Sequence, residues 1–139
     1  MSISTSAQYQ RALAHASDDF DEVDPVRRAF VNIVTFIGNN QNENLNHLTF
    51  GMLREAAQLE SDDGEILHRA IAYLTGARAK ILELKYEFIG DEYEHELVAD
   101  EVNTFLNEEV FHDPRTGMPV SECANHIYVF FRPNYAAFH

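Results

Sequence analysis

The sequence predicts an α+β fold in which helices come first and an antiparallel hairpin follows, with one extra helix and one extra strand towards the C-terminus. Two observations support this order. Apolar residues recur at three- and four-residue steps across 25–38, 50–58 and 64–75, which is the period of an amphipathic helix. From residue 82 to residue 97 the period changes to two, as in a strand with one buried face. The change of period therefore places a hairpin directly after the helices.

The helix over 25–38 has clear start and stop signals. Asp24 can accept hydrogen bonds from free amide groups of the first turn, and the missing N–H of Pro25 costs nothing there. Gly38 and the Asn39-Asn40 pair end the helix, because these residues tolerate a left-handed conformation. The apolar stripe between these signals consists of Val26, Ala29, Phe30, Ile33, Val34 and Ile37.

Two further helix starts follow a polar loop. Thr49 can cap a short helix over 50–58. Asp62 and Glu65 have the spacing of a capping box for the helix over 64–75, with Asp in place of Ser or Thr. Gly76 is expected to end that helix.

The predicted hairpin has its turn at Gly90-Asp91, between two alternating segments. After it, Asp100 is expected to cap another helix. Ile127–Phe131 is predicted to form a final strand that ends at Pro133. This strand is apolar on both faces and needs cover on both, so we expect a homodimer.

Composition limits the class of protein. The chain has 139 residues, enough for one domain with its own core, and 23 acidic against 10 basic residues give a formal net charge of −13. A surface of that sign repels phosphate backbones and anionic lipids. Nucleic acid and membranes are therefore not expected partners, whereas a basic protein is.

The N-terminal residues and the cysteine content indicate the compartment. Met1–Ser6 lack the cationic start and apolar run of a secretory signal, and no apolar run reaches the roughly 18 residues that cross a bilayer. Cys123 is the only cysteine, so no internal disulfide can form. These features predict a cytoplasmic protein.

Charge also suggests the domain boundaries. Asp18–Asp24 holds five carboxylates in seven residues, which disfavours close packing. Residues 1–24 are therefore predicted to form a flexible acidic arm, and residues 25–139 a single globular domain.

Residues 48–98 resemble a winged helix-turn-helix. The segment begins Leu48-Thr49-Phe50-Gly51-Met52-Leu53 and ends Leu97-Val98, and Ile71-Ala72-Tyr73-Leu74-Thr75-Gly76 closes its third helix. The resemblance lies in the order of helix, helix, helix and hairpin, and it indicates no specific family. It implies that 64–75 is a recognition helix and that the hairpin is a wing, an arrangement known mainly for DNA binding.

The charges argue against DNA binding by this segment. Between residues 49 and 106 there are thirteen acidic and five basic residues, and the wing carries carboxylates with no Lys or Arg among them. A wing that repels the backbone cannot position a helix in the groove. Protein docking is the favoured use, and the alternative, a DNA-binding transcription regulator, would depend on Arg69, Arg78, Lys80 and Lys85.

No catalytic, cofactor or metal site is predicted. Cys123 and His126 have a two-residue spacer, but a closed zinc site needs four ligands, and His112 and Asp113 complete it poorly. As a nucleophile and base they lack an orienting third residue. His95 alternates with apolar positions and is predicted to be a half-buried structural imidazole on the opposite face from Glu94. The protein is therefore expected not to be an enzyme.

The leading hypothesis is a non-enzymatic protein-interaction module that docks on a basic partner. The residues predicted to contact that partner are Glu92, Glu94 and Glu96 on the hairpin and Tyr135 and Phe138 in the C-terminal tail. A second hypothesis is a DNA mimic that inhibits a nucleic-acid-binding protein. It requires the carboxylates of 18–24, 92–96 and 100–109 to form one stripe.

Overall fold

A computed structural model describes residues 7–40 and 45–134, with side chains from residue 10 onwards. Within these ranges the helices are α1 (Ala7–Asp19), α2 (Pro25–Asn39), α3 (Phe50–Ala56), α4 (Gly64–Thr75) and α5 (Ala99–Glu108), and Cys123–His126 forms a short 3₁₀ helix. The strands are β1 (Leu82–Ile89), β2 (Glu94–Glu96) and β3 (Ile127–Pro133). They form one three-stranded sheet in the order β2-β1-β3. The predicted α+β class is confirmed.

The described residues divide into two compact units. The first unit comprises residues 7–40, 45–84 and 131–134, and the second comprises Lys85–Phe130. The second unit has its own apolar cluster of buried residues: Phe88, Leu97, Phe111 and Cys123. Sequence periodicity shows which face of an element is apolar but not which elements share a core, so it gave no sign of this division.

The core of the first unit is built on α2. Its predicted stripe is buried along its whole length, and α4 packs against it through Leu67, Ala70, Ile71 and Leu74. Burial of these two apolar faces is the main source of stability here, at about 25 cal/mol for each Å² removed from water.

Two predicted helix caps are confirmed and a third is wrong. The Asp24 carboxylate accepts the Val26 N–H at 2.8 Å, and the Thr49 hydroxyl accepts the Met52 N–H at 3.2 Å. The capping box of Asp62 and Glu65 is not formed, because Asp63 is the N-cap residue of α4. The Asp63 carboxylate instead accepts the Glu60 N–H at 2.9 Å, within the loop that precedes the helix.

Residues 7–19, which the sequence analysis places in a flexible arm, form helix α1. Ala12 and Ala16, one turn apart, are buried. The carboxylates of 18–24 do not prevent packing, because they come at and after the end of the helix and Asp19 has a cationic partner in Arg78. Residues 1–6 lie outside the described part of the chain.

In the second unit, β1 and β2 are antiparallel, with Phe88 opposite His95 and Glu87 opposite Glu96. The following helix starts two residues earlier than predicted. Val98, not Asp100, is the N-cap residue of α5, and the Glu101 carboxylate accepts the Val98 N–H at 2.9 Å. The side chain at the third helical position thus satisfies the amide of the N-cap residue, and Asp100 lies within the first turn of α5.

Strand β3 extends from Ile127 to Pro133 and ends at the predicted proline. Tyr128 remains 49% exposed on this strand. Tyr135 and Phe138, predicted to contact a partner, lie outside the described residues. None of the described helices combines the length and the apolar character needed to cross a membrane.

Candidate functional site: the acidic second unit

Strand β2 separates its charged and apolar faces as the alternation predicts, whereas on β1 Leu84, predicted to lie on the apolar face, is 45% exposed. Glu94 and Glu96 are exposed, whereas His95 between them is half-buried. The His95 ring lies 5.8 Å from the Phe111 ring, and its Nε2 is 2.8 Å from a carboxylate oxygen of Glu101. His95 is thus half-buried, as predicted, and Glu94 and Glu96 are exposed.

The turn of the hairpin depends on Gly90. Its N–H donates to the Tyr93 carbonyl at 3.0 Å, which closes the turn. A Cβ atom at this position would lie 2.7 Å from Cε1 of Phe88, a ring that belongs to the buried cluster. Glycine at position 90 is therefore required by close approach of the aromatic ring.

Arg115 joins the hairpin turn to the loop that follows α5. Its Nε and Nη2 atoms donate to the two carboxylate oxygens of Asp113 at 3.2 and 3.0 Å, and Nη1 donates to Glu92 at 3.1 Å. The guanidinium carbon lies 4.0 Å from the centre of the Tyr93 ring, a cation–π distance. Arg115 thus contacts both the Tyr93 ring and a partner-binding candidate, the exposed carboxylate of Glu92.

The electrostatics of this cluster follow from its geometry. Hydrogen bonds from Arg115 hold the pKa of Asp113 below its usual range, and hydrogen bonds to Asp113 and then Glu92 raise the pKa of Arg115. Burial raises the pKa of the Tyr93 phenol, and the nearby charge of Asp113 raises it further. The cluster is therefore fixed in one charge state, with Asp113 ionised and Tyr93 neutral, at neutral pH.

A groove of about 280 Å³ lies beside this cluster. Its lining includes Phe88 and Tyr93 as aromatic walls, and Asp91, Glu92 and Asp113 as carboxylates. Arg115 and His126 also face it. Arg115 was not predicted as a site residue, and Asp113 was considered only as a metal ligand; their two-residue spacing around Pro114 was the only local signal, and the contact to Glu92 spans 23 positions.

The acidic residues are concentrated in this unit. Residues 85–130 hold eleven carboxylates and two basic side chains, a formal charge of −9 out of −13 for the whole chain. Eight of the eleven carboxylates are exposed: Asp91, Glu92, Glu94, Glu96, Asp100, Glu108, Glu109 and Glu122. Of the two basic residues, Arg115 is bonded to carboxylates and Lys85 is half-buried. The surface of the second unit is therefore strongly negative.

The four basic residues predicted for the alternative, DNA-binding function differ in their ion pairing and in the unit to which they belong. Arg78 donates to both oxygens of Asp19 at 2.8 and 2.9 Å, so a carboxylate of its own chain neutralises it. Arg69 and Lys80 are exposed in the first unit, whereas Lys85 belongs to the second.

The residues considered above as metal ligands or as a catalytic pair make contacts within the second unit. Cys123 is buried, and its thiol donates to the Glu109 carbonyl at 3.4 Å, while the ring of His126 lies 5.8 Å from the Phe88 ring. His112 is exposed, and its backbone forms a bridge with Pro119. In the described ranges no set of three or more His, Cys, Asp or Glu side chains could hold a metal ion.

Comparison with models of known protein families gives no match. Comparisons with curated proteins and with solved structures also give none.

Proposed function

We propose that this protein is a non-enzymatic interaction module, winged-helix-like in its arrangement, that binds a basic protein partner through the acidic surface of its second unit. The observation that carries the proposal is the concentration of charge: −9 of −13 in 46 consecutive residues, with eight carboxylates at the surface. Complementary charge increases the association rate and selects the partner, even where each exposed ion pair contributes less than about 1 kcal/mol.

The structure of the hairpin supports this proposal. Glu94 and Glu96 share one exposed face of β2. Glu92 is exposed as well, but it is paired with Arg115, and a basic partner would have to compete with Arg115 for this carboxylate. The Asp19–Arg78 pair weighs against the DNA-reading alternative, because nucleic acid would have to compete with an internal carboxylate for Arg78.

A charge-matched pair of variants tests the proposal. The first replaces Asp91→Asn, Glu94→Gln, Glu96→Gln and Glu108→Gln in the second unit; the second replaces Glu55→Gln, Glu60→Gln, Asp62→Asn and Glu65→Gln in the first. All eight positions are exposed, and both variants gain four charge units.

The probe is a fluorescent decalysine peptide, followed by anisotropy at low and high salt. We expect about tenfold weaker binding for the second-unit variant and a smaller change for the first-unit variant, because four exposed ion pairs supply together roughly 1–3 kcal/mol. Equal weakening by both variants would contradict the proposal and leave the acidity a general contribution to solubility.

The DNA-mimic hypothesis is one form of this function, in which the basic partner is itself a nucleic-acid-binding protein. A competition experiment distinguishes it: a captured partner that is released by duplex DNA at constant salt supports mimicry. A partner that binds DNA and this protein at the same time would exclude it.

The predicted homodimer remains an expectation, supported by the half-exposed Tyr128 on β3. Sedimentation equilibrium measures it directly, and a monomer at about 100 µM would contradict it.

A further inference from the structure

A cavity of about 360 Å³ lies in the first unit, separate from the residues used above. Arg28 and Asn32, one turn apart on α2, form one wall. Gln58 and Leu59, which follow α3, and Asp63 and Ile66 at the start of α4 complete it. The Asn32 side-chain amide donates to the Ala57 carbonyl at 3.0 Å and fixes the distance between the walls. The volume is that of a site for a small molecule.

Two opposite charges line this cavity without neutralising each other. Arg28 is exposed and Asp63 is half-buried, and the ion pairs found among the described residues do not include one between these two. One oxygen of Asp63 accepts the Glu60 N–H at 2.9 Å, which orients the carboxylate and leaves its second oxygen for another donor. A guanidinium is matched in shape and charge by a carboxylate, and a carboxylate by an ammonium group.

Gln58 provides a second, independent observation. It follows the end of α3 with φ of 61°, in the left-handed region where glycine is favoured. The Leu59 N–H donates to the Arg54 carbonyl at 3.1 Å across this turn. The glutamine side chain lines the cavity, and its amide can both donate and accept hydrogen bonds. Gln58 thus occupies a backbone conformation that disfavours any residue except glycine, and its polar side chain lines the cavity.

The remaining lining offers apolar surface. Leu59 and Ile66 are partly buried and face the same space. The lining therefore offers a ligand one cationic group, one carboxylate and one apolar surface.

We propose that this cavity binds a small aliphatic amino acid. Its carboxylate lies at Arg28, its ammonium group at Asp63 and its side chain against Leu59 and Ile66, with the Gln58 amide beside the charged groups. This cavity shares no residue with the acidic surface that is proposed to bind a protein partner, so the two proposals are independent.

The first test titrates the full chain with L-leucine and follows backbone amide chemical shifts by NMR. We expect saturable shifts at Asn32, Gln58 and Leu59. The analogues 3-methylbutylamine and 4-methylpentanoate each lack one charged group and should bind about tenfold more weakly, because each loses one charge-assisted hydrogen bond. Absence of saturation at about 10 mM leucine would overturn the proposal, as would equal binding of either analogue.

The second test uses variants. Arg28→Gln should weaken leucine binding about tenfold, whereas Arg27→Gln, a neighbour that donates to Ser17 at 3.1 Å, should leave it unchanged. Gln58→Gly should have two opposite effects: a melting temperature higher by about 4 °C, since the backbone strain is relieved, and weaker binding, since the side-chain amide is lost. Equal binding by the two arginine variants, or undiminished binding by Gln58→Gly, would refute this assignment.

Discussion

Arg78 and Asp19, 59 positions apart, form the ion pair that attaches the end of α1 to the segment after α4. Both oxygens of Asp19 accept from the guanidinium, and one of them also accepts the Tyr73 hydroxyl at 2.6 Å. The ring of Tyr73 in turn packs edge-on against Phe20 and Phe30, at 4.9 and 5.3 Å. A polar contact and an aromatic cluster therefore hold α1 to the core of the first unit.

The first prediction concerns acid stability. The hydrogen bonds from Arg78 and then Tyr73 hold the pKa of Asp19 below its ordinary value of 3.8. A carboxylate with a lowered pKa contributes stability above its unfolded-state pKa, and this contribution is lost as the pH falls through its folded-state pKa. Asp19→Asn should therefore lower the free energy of unfolding at pH 7, and the difference from wild type should shrink as the pH falls below 3.8, through the lowered pKa of Asp19 in the folded protein.

Urea unfolding at a series of pH values measures this difference. Asp18→Asn is the control, because Asp18 is an exposed neighbour with the same charge. If the difference in free energy of unfolding between wild type and Asp19→Asn did not change with pH, the Asp19–Arg78 pair would not act through the charge of Asp19.

The second prediction concerns alkaline stability. Burial, followed by the hydrogen bond to Asp19, raises the pKa of Tyr73 from 10.0 to about 12. The folded protein holds the phenol proton of Tyr73 more strongly than the unfolded protein does. The protonated side chain therefore contributes stability below about pH 10, and this contribution is lost as the pH rises towards 12. Tyrosinate absorbance at 295 nm should show a late titration step near pH 12 that is missing from Tyr73→Phe. A Tyr73→Phe protein with an unchanged titration curve would contradict the assignment.

The third prediction concerns the end of α5. Glu109 is the C-cap residue and has φ of 54°, a left-handed conformation that costs a non-glycine residue about 1 kcal/mol. Glu109→Gly should therefore raise the free energy of unfolding by roughly 0.5–1 kcal/mol. The matched control is Glu108→Gly, one residue earlier and still helical, which should lower it by about 1 kcal/mol. Changes of the same sign in both variants would argue against the left-handed cap.

The fourth prediction concerns the hairpin turn. Gly90→Ala brings a methyl group within 2.7 Å of the buried Phe88 ring and should cost about 1–3 kcal/mol, the usual effect of overpacking. Gly64→Ala is the control, since nothing lies within 4 Å of a Cβ there and the position is helical. It should stabilise the protein by up to about 1 kcal/mol. Thermal unfolding of both variants gives the comparison, and a neutral Gly90→Ala would contradict the tight turn.

Features that depend on neighbouring residues in the chain could be predicted from the sequence. Asp24 and Thr49 cap their helices as expected, and Glu94 and His95 face opposite sides of β2, because capping and alternation act over three residues or fewer. The Asp62 cap failed for a competing local reason: the neighbouring carboxylate of Asp63 bonds to the preceding loop. Glu92 could be predicted as an exposed carboxylate, but not as a partner of Arg115.

The sequence alone determined the helix and strand periods, the strong negative charge and its concentration along the chain, since these are properties of residue order and composition. Only the tertiary structure decided that α1 packs on the first unit, that residues 85–130 form a second unit, and that Arg28 and Asp63 line one cavity. Each of these depends on contacts between residues far apart in the chain. Such contacts are selected by the free energy of packing whole elements together, and no local pattern contains that information.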